Sequence, residues 1–183
     1  MRRVERREQI LDAATRAIVR TGFANTSVDD IAAEAGITRV LLYRHFDSKH
    51  DLCLAVFVRA RDRLMAGVGS GNYGEHSLAA FLRAAAADPD GFRVLYRCAA
   101  REPEFRELYD ELAQVSEHLA GRSLAGVLPP GAWTDWAARL LPGVAVDAVI
   151  AWLDLGQPDP EEAADRILRV MNGVLDAARS SRT

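Results

Sequence analysis

The chain has 183 residues, of which 49% are hydrophobic and 27% charged, and this length suffices for one or two domains. The net charge of −3 divides unevenly: residues 1–50 hold nine Lys and Arg against seven Asp and Glu, whereas the remainder holds fourteen against nineteen, so basic and acidic surfaces are segregated. The sequence shows no signal peptide and no run of roughly 18 apolar residues, which argues against membrane association and predicts a cytoplasmic protein.

The first predicted helix follows a basic stretch and ends at Gly22. Its inward stripe consists of apolar residues at helical spacing, namely Ile10, Leu11, Ala14, Ala17 and Ile18. The basic stretch contains Arg2, Arg3, Arg6 and Arg7. These arginines form either an arm that contacts the DNA minor groove or flanking phosphates, or a solvated helix end, and short basic tails of this kind favour the first interpretation.

Residues 25–52 predict two short helices joined by a glycine turn, followed by the start of a third. Ser27 and Asp30 have the spacing of a capping box at the start of the first short helix. The inward side of that helix is apolar and consists of Val28, Ile31, Ala32 and Ala35. Gly36 ends it, because a residue without Cβ adopts the left-handed conformation of a tight turn at little steric cost.

Thr38 predicts the cap of a second short helix, from about Arg39 to His45. Leu42 and Phe46 point inward one turn apart. The outward residues are Arg39, Val40, Tyr43 and Arg44. Ser48 and Asp51 repeat the capping spacing, so the third helix should direct its free N–H groups towards an anion.

This stretch resembles the DNA-binding domain of the TetR family, one-component bacterial transcription regulators. The residues that carry the resemblance are Thr26, Ile31-Ala32, Ala35-Gly36-Ile37-Thr38, Leu42-Tyr43, His45-Phe46, Lys49 and Leu52. The resemblance covers roughly residues 5–64. It implies an all-α fold of about nine helices, with a helix-turn-helix DNA-binding domain in residues 1–50, a linking helix in 51–66, and a helical ligand-binding and dimerisation domain in 67–183.

The resemblance also implies DNA contacts at matching positions. Arg39, Val40 and Leu41 would face base edges: Arg39 can bond guanine at O6 and N7, and the two aliphatic residues can contact thymine methyl groups. Burial of Leu41 in the domain core is an equal alternative. The expected phosphate contacts are Thr26, Thr38, Tyr43, Arg44 and Lys49. His45 is also placed at this surface, although a partly buried ring bonded to the backbone is favoured over a base contact.

After the linking helix, residues 69–74 satisfy the pattern G-x-G-x-x-G. A dinucleotide site is rejected because a helix precedes the glycines and the chain shows no β pattern; an interhelical loop accounts for them. Further helices are predicted for 78–87, 90–100, 103–124, 133–155 with a kink at Pro142-Gly143, and from Pro160 onwards.

The last two predicted helices are more apolar than a monomer surface requires. In TetR-like proteins the corresponding pair forms a four-helix bundle with a second copy, which implies a homodimer reading an inverted-repeat operator, with half-sites about 34 Å apart. The residues expected at the dimer interface are Val144, Ala148, Ala151, Ile167, Met171, Val174 and Leu175. The alternative is that both helices belong entirely to the core of one chain.

Aromatic residues are frequent in the C-terminal part, and the resemblance implies an apolar pocket there for a small-molecule effector. An apolar or aromatic effector is preferred. The candidate pocket residues are Phe81, Phe92, Tyr96, Arg97, Phe105, Tyr109, His118, Trp133 and Trp152. Packing in the core is the competing explanation for each aromatic.

Residue patterns for catalysis, metals or cofactors are not found in the sequence. The cysteines, Cys53 and Cys98, lie in apolar helical patterns that predict buried free thiols, and the four histidines are scattered. These absences predict a protein without enzymatic activity. The family resemblance implies a ligand-responsive transcription regulator, a repressor rather than an activator because repression is the family's commoner behaviour. The alternative is a helical small-molecule carrier or enzyme with a vestigial DNA-binding head.

Overall fold

The computed structural model describes residues 3–69 and 75–179, without the side chains of 75 and 76. All regular structure in these ranges is helical, which confirms the predicted all-α fold. The α-helices are α1 (Arg3–Thr21), α2 (Val28–Glu34), α3 (Arg39–Tyr43), α4 (Lys49–Val68), α5 (Glu75–Ala87), α6 (Pro89–Arg93), α7 (Arg106–Leu124), α8 (Ala132–Asp154) and α9 (Pro160–Arg179). Arg2 and residues 70–74 of the predicted glycine loop lie outside the described residues.

The chain divides into two compact units. Unit 1 comprises Met1–Arg63 and Asp88–Tyr109, and unit 2 comprises Leu64–Ala87 and Asp110–Thr183. The sequence-based division placed residues 88–109 in the C-terminal part, whereas here they pack with the helix-turn-helix. Boundaries of the functional domains near residues 50 and 67 stay a prediction.

The core of unit 1 forms around α1, whose predicted inward stripe is buried. Ile10, Ile18, Ile31 and Leu42 are fully buried, and Leu52 of α4 joins them. Burial of one such side chain stabilises the fold by roughly 1.5–3 kcal/mol relative to leaving it exposed. This packing fixes one side of α2, α3 and α4 and leaves their other side to solvent.

The predicted helix over residues 90–100 is not uniform. Asp88 caps α6 by accepting a hydrogen bond from the Gly91 N–H at 3.0 Å, and the helix widens into a π-helical turn at Val94–Cys98 before a 3₁₀ turn at Ala99–Arg101. The apolar residues Phe92, Val94 and Leu95 are buried. Spacing of apolar residues over so short a segment does not distinguish helical periods, which is why the sequence predicted one α-helix.

The predicted helix from Pro103 also begins differently. Pro103–Phe105 forms a 3₁₀ turn with the proline at its start, and α7 follows from Arg106. Proline is accepted at this first-turn position because it has no N–H to leave unpaired. Phe105 is 2% exposed and belongs to the core of unit 1.

Unit 2 packs α5, α8 and α9 together. A buried cluster connects the end of α7 to α8 and consists of Leu124, Leu128, Ala137, Ala138 and Leu141. Met171, Val174, Leu175 and Ala178 of α9 pack against this cluster. Gly67 at the end of α4 allows α5 to approach, since a Cβ there would lie 2.6 Å from the Ala84 Cβ.

One helix of the described part, α8, is long and apolar enough to cross a membrane by length and composition alone. This corrects the expectation that no segment approaches that limit. Only 39% of its apolar window is buried, yet it packs against α5 and α9, and core helices of soluble proteins pass the same test. α8 runs unbroken through Pro142-Gly143, the predicted position of a kink.

Candidate nucleic-acid interface

The start of α2 is fixed by the predicted capping box. The Asp30 N–H donates to Ser27 Oγ at 3.0 Å, and the Ser27 N–H donates to Asp30 Oδ2 at 3.0 Å. The hydrogen bonds from Ser27 lower the pKa of Asp30 below its ordinary value. Two of the free N–H groups at this helix end are thereby satisfied.

The turn between α2 and α3 has the predicted left-handed glycine. Gly36 has φ +64°, a conformation that costs side-chain-bearing residues energy. The Ile37 N–H returns to the Ala32 carbonyl at 2.9 Å, which closes the end of α2. Thr38 then caps α3 by accepting from the Leu41 N–H at 3.3 Å.

The short helix α3 has one buried and one exposed side. Leu42 is fully buried and Phe46, just beyond the helix, is 1% exposed. On the opposite side Val40 is 68% exposed and Tyr43 is 39% exposed. Leu41 is half-buried, between the two alternatives that the sequence left open. An exposed helix side with this support is the part of unit 1 that can enter a DNA groove.

The guanidinium group of Arg39, at the start of α3, lies between Asp29 and Tyr43. Its Nη1 lies 3.1 Å from Asp29 Oδ2, and its guanidinium carbon lies 5.5 Å from the centre of the Tyr43 ring. A hydrogen bond with Tyr43, and then the charge of Asp29, raise the pKa of Arg39 above its ordinary value. The guanidinium is therefore a permanent cation with most of its five donors available.

The start of α4 carries the predicted lysine. The Asp51 N–H donates to Ser48 Oγ at 3.0 Å, whereas the Asp51 carboxylate accepts from the Asp47 N–H at 3.2 Å. Lys49 Nζ donates to the Ala24 carbonyl at 3.3 Å. The positive end of this 20-residue helix and the ammonium group thus lie together, an arrangement suited to a phosphate.

The basic end of α1 lies beside the end of α3. Arg7 stacks on the Phe46 ring, with 4.3 Å between the guanidinium carbon and the ring centre, and its buried Nη1 has no hydrogen-bond partner within the described residues. Burial, and then the charges of Arg3, Arg7 and Arg6, hold the pKa of His45 below its ordinary value. Arg3 already belongs to α1, so from this residue onwards the basic stretch is a helix end.

Thr26 differs from the other predicted phosphate contacts. It is 1% exposed, its hydroxyl donates to the Gly22 carbonyl at 2.7 Å, and it also lies 2.7 Å from the Thr21 hydroxyl. The structure uses this threonine to close the turn after α1 and does not present it to a phosphate. Thr38 and Arg44, by contrast, are exposed.

Comparison with known proteins identifies this arrangement. A sequence profile described as "Bacterial regulatory proteins, tetR family" matches residues 10–56, which include all of α2 and α3. The crystal structure of a TetR-like transcriptional regulator from Rhodococcus sp. RHA1 superposes with a TM-score of 0.76 at 25% identity and covers 96% of this chain and 98% of that chain.

The DNA-binding segment of the chain is that of the TetR family.

The chain is a DNA-binding transcriptional regulator with a TetR-like fold. The transcriptional activator FasR of Mycolicibacterium smegmatis is 46% identical over 66 residues, which are 36% of this chain and 30% of that protein. MexZ, a repressor of Pseudomonas aeruginosa, has the same fold, with a TM-score of 0.71 at 24% identity over 97% of this chain and 96% of its own.

The predicted effector residues of this chain fall in both units. Five belong to unit 1: Phe92, Tyr96, Arg97, Phe105 and Tyr109. Four belong to unit 2: Phe81, His118, Trp133 and Trp152.

Three of these aromatic residues serve as core, and Phe92 is 2% exposed. The ring centre of Phe105 lies 4.7 Å from that of Phe23. The Phe105 ring is also nearly parallel to the rings of Phe57 and His50, with 6.5 Å and 5.6 Å between ring centres. Trp152 is 7% exposed, and its indole N–H donates to the Pro158 carbonyl at 2.7 Å. Trp133, by contrast, is 64% exposed and lies edge-on to Trp136.

An open groove of about 440 Å³ lies in unit 2. Charged residues dominate its lining, together with small ones; these residues are Glu117, His118, Gly121, Arg122, Ala125, Asp135, Ala138 and Arg139. His118 is the predicted effector residue among them.

The predicted dimer residues are also distributed unevenly. Ile167 is buried, and Met171, Val174 and Leu175 pack against the core of their own unit. Ala151 is exposed, whereas Val144 and Ala148 are half-buried. Val170 of α9, which is not among the predicted residues, is 55% exposed.

Both cysteines are free, as predicted, although only Cys53 is buried and Cys98 is half-buried. Burial raises the pKa of Cys53 to about 11 and raises the pKa of Cys98. A raised pKa favours the protonated thiol and so lowers its reactivity at neutral pH. Within residues 3–69 and 75–179, no group of three His, Cys, Asp or Glu side chains could hold a metal ion.

Proposed function

We propose that the chain is a sequence-specific repressor that binds an inverted-repeat operator as a homodimer and is released by a small-molecule effector. The exposed side of α3, supported by the buried Leu42 and Phe46, is the observation that carries this proposal. A helix held in this way can place side chains against base edges while its other side remains in the protein core. Access to the chromosome implies a cytoplasmic location.

Arg39 and Val40 are the residues proposed to read sequence. A guanidinium can donate two parallel hydrogen bonds to O6 and N7 of guanine, and an exposed valine can contact a thymine methyl group. Each such bidentate contact discriminates against a wrong base by roughly 1–3 kcal/mol. Leu41 is only half-buried, so a methyl contact through its exposed edge remains part of the proposal.

Phosphate contacts are proposed for Thr38, Tyr43, Arg44 and Lys49, which set the register of α3 on the duplex without reading sequence. Thr26 is left out, because its hydroxyl is buried and already bonded. Each phosphate neutralised by a cation releases counterions, so affinity should fall steeply with salt although the whole chain is acidic. His45 is proposed to face a phosphate only when protonated.

The homodimer is proposed to form through the exposed sides of α8 and α9. Ala151 tests this interface better than Val174, since Ala151 is exposed whereas a charge at Val174 would also disturb the core of unit 2. Ala151→Glu should produce monomers in light scattering, with Ala113→Glu on the exposed side of α7 as the matched control. A dimer that survives Ala151→Glu would contradict this interface.

The effector is proposed to bind the helical part outside residues 10–56 and to favour one spacing of the two DNA-binding heads. Binding that prefers one conformation shifts the population by the difference in affinity. The repressor assignment is supported by the near-complete fold match to MexZ, and FasR shows that a similar DNA-binding segment also occurs in an activator.

A gel-shift assay on DNA flanking the protein's own gene tests the proposal. Wild type should bind, Arg39→Ala should lose preference at the base pair that Arg39 reads, and Tyr43→Phe should weaken binding to all sequences alike if the hydroxyl contacts a phosphate. Absence of binding by the wild-type protein at low salt would favour the alternative, a helical small-molecule carrier or enzyme whose DNA-binding head is vestigial.

A further inference from the structure

We propose that Asp29 is a specificity-determining residue, which positions Arg39 for its base and at the same time penalises binding to arbitrary DNA. The proposal rests on the proposed reading of a base by Arg39. Asp29 lies in the first turn of α2, ten residues before Arg39 along the chain, and the turn at Gly36 brings the two side chains together at 3.1 Å between Nη1 and Oδ2.

The geometry leaves the guanidinium free to act. Asp29 contacts a single nitrogen, Nη1, and Tyr43 adds a hydrogen bond, with its ring centre 5.5 Å from the guanidinium carbon. A carboxylate on one nitrogen and a ring beside the group restrict the orientation of a long side chain that otherwise samples many rotamers. The remaining donors keep the fork that fits guanine.

The ion pair between Asp29 and Arg39 is too exposed to hold Arg39 away from DNA. The side chains of Arg39 and Asp29 are 57% and 66% exposed, and exposed ion pairs contribute little to stability. DNA can therefore take over the guanidinium without opening a buried contact. What the pair contributes is a bias in the orientation of Arg39 before DNA arrives, and preorganisation of this kind reduces the entropy lost on binding.

Preorganisation of Arg39 favours binding to the correct base, whereas the charge of Asp29 weakens non-specific binding. A carboxylate on the surface that faces DNA repels phosphates wherever the protein sits, whether or not the base is correct. Only at the correct base does the well-placed Arg39 compensate for this repulsion. Asp29 should therefore lower affinity for all sequences and raise the ratio between correct and incorrect ones.

The test measures two dissociation constants in the full-length protein, by fluorescence anisotropy at fixed salt. One duplex carries the operator obtained by selecting bound sequences from random DNA with the wild-type protein. The other carries a single substitution at the base pair read by Arg39, in one half-site only. Asp29→Asn should tighten binding to the substituted duplex and reduce the ratio of the two constants by about two- to tenfold, the typical effect of ordering one flexible side chain. Asp29→Glu, which keeps the charge, should restore part of the ratio.

Matched variants separate positioning from a general charge effect or from misfolding. Asp47→Asn removes the same charge from the exposed turn before α4 and should leave the ratio unchanged. In an Arg39→Ala background Asp29→Asn should also leave the ratio unchanged, because the contact no longer exists. Damage to the fold would weaken binding to both duplexes, which is opposite to the expected gain on the substituted one.

Two results would overturn the proposal. If Asp29→Asn changes both constants by the same factor while wild type discriminates, Asp29 contributes only charge and the proposed function stands. If wild type binds both duplexes equally, and no other single substitution reduces its affinity, the proposed reading of sequence fails and this inference fails with it.

Discussion

Replacement of Phe105 by alanine should destabilise the unit that binds DNA, although this residue lies more than fifty positions beyond the helix-turn-helix. Its ring is 2% exposed and lies 4.7 Å from Phe23 and 6.5 Å from Phe57. Truncation of a buried phenylalanine costs about 3–5 kcal/mol, from lost transfer free energy and the cavity left behind. This is a large part of the roughly 5–15 kcal/mol that stabilises a typical domain.

Urea titration of the full-length protein measures this loss with two probes. Circular dichroism follows helices of both units, whereas the three tryptophans all lie in unit 2 and their fluorescence reports that unit. Phe105→Ala should lower the midpoint of the dichroism transition, and Phe105→Leu should lower it less. Leu141→Ala, in the core cluster of unit 2, is the control that should move the fluorescence transition. A loss below about 1 kcal/mol for Phe105→Ala would refute the assignment of this ring to the core.

Three further predictions concern the same unit. Ser27→Ala should lower its free energy of unfolding by about 1 kcal/mol, because α2 loses its cap; an unchanged urea midpoint would contradict this. Arg59→Met should lower the free energy of unfolding more than Arg166→Met does in the same titration. The Arg59 side chain is 13% exposed and bonds Glu8, Asp12 and Thr15, whereas Arg166 is 67% exposed. Equal losses would show that these bonds of Arg59 do not stabilise the unit. The pKa of His45 is lowered in the folded state, so its contribution to stability is present above its unfolded pKa of about 6.5 and is lost as the pH falls below it. His45→Gln should therefore reduce the fall in the free energy of unfolding between pH 7 and pH 5. An identical fall in wild type and variant would show that His45 is not responsible.

Local signals in the sequence predicted the support of α3 well. Ser27 with Asp30, the left-handed Gly36 and the cap at Thr38 depend on residues within a few positions of one another, so spacing alone determines them. The split between a buried Leu42 and an exposed Val40 follows from helical periodicity in the same way. Family resemblance then supplied the role of the exposed side.

Features that depend on contacts distant in sequence were not predicted. Burial of Thr26 was not predicted either, although its bond to the Gly22 carbonyl is local, because a hydroxyl residue in a loop gives no sign of such a bond. Packing of residues 88–109 with the helix-turn-helix, and of Phe105 on Phe23, joins segments that no periodic pattern relates. The contact between Asp29 and Arg39 crosses a turn whose geometry brings together two residues that look like separate surface charges.

The central claim, that the exposed side of α3 reads DNA, is tested most directly by selecting bound duplexes from a random pool with wild type and with Arg39→Ala. We expect wild type to enrich an inverted repeat whose half-sites are separated by about one helical turn or a multiple of it, and Arg39→Ala to lose preference at one base pair of each half-site. Enrichment of no sequence by wild type at low salt, or an identical motif for both proteins, would contradict the claim.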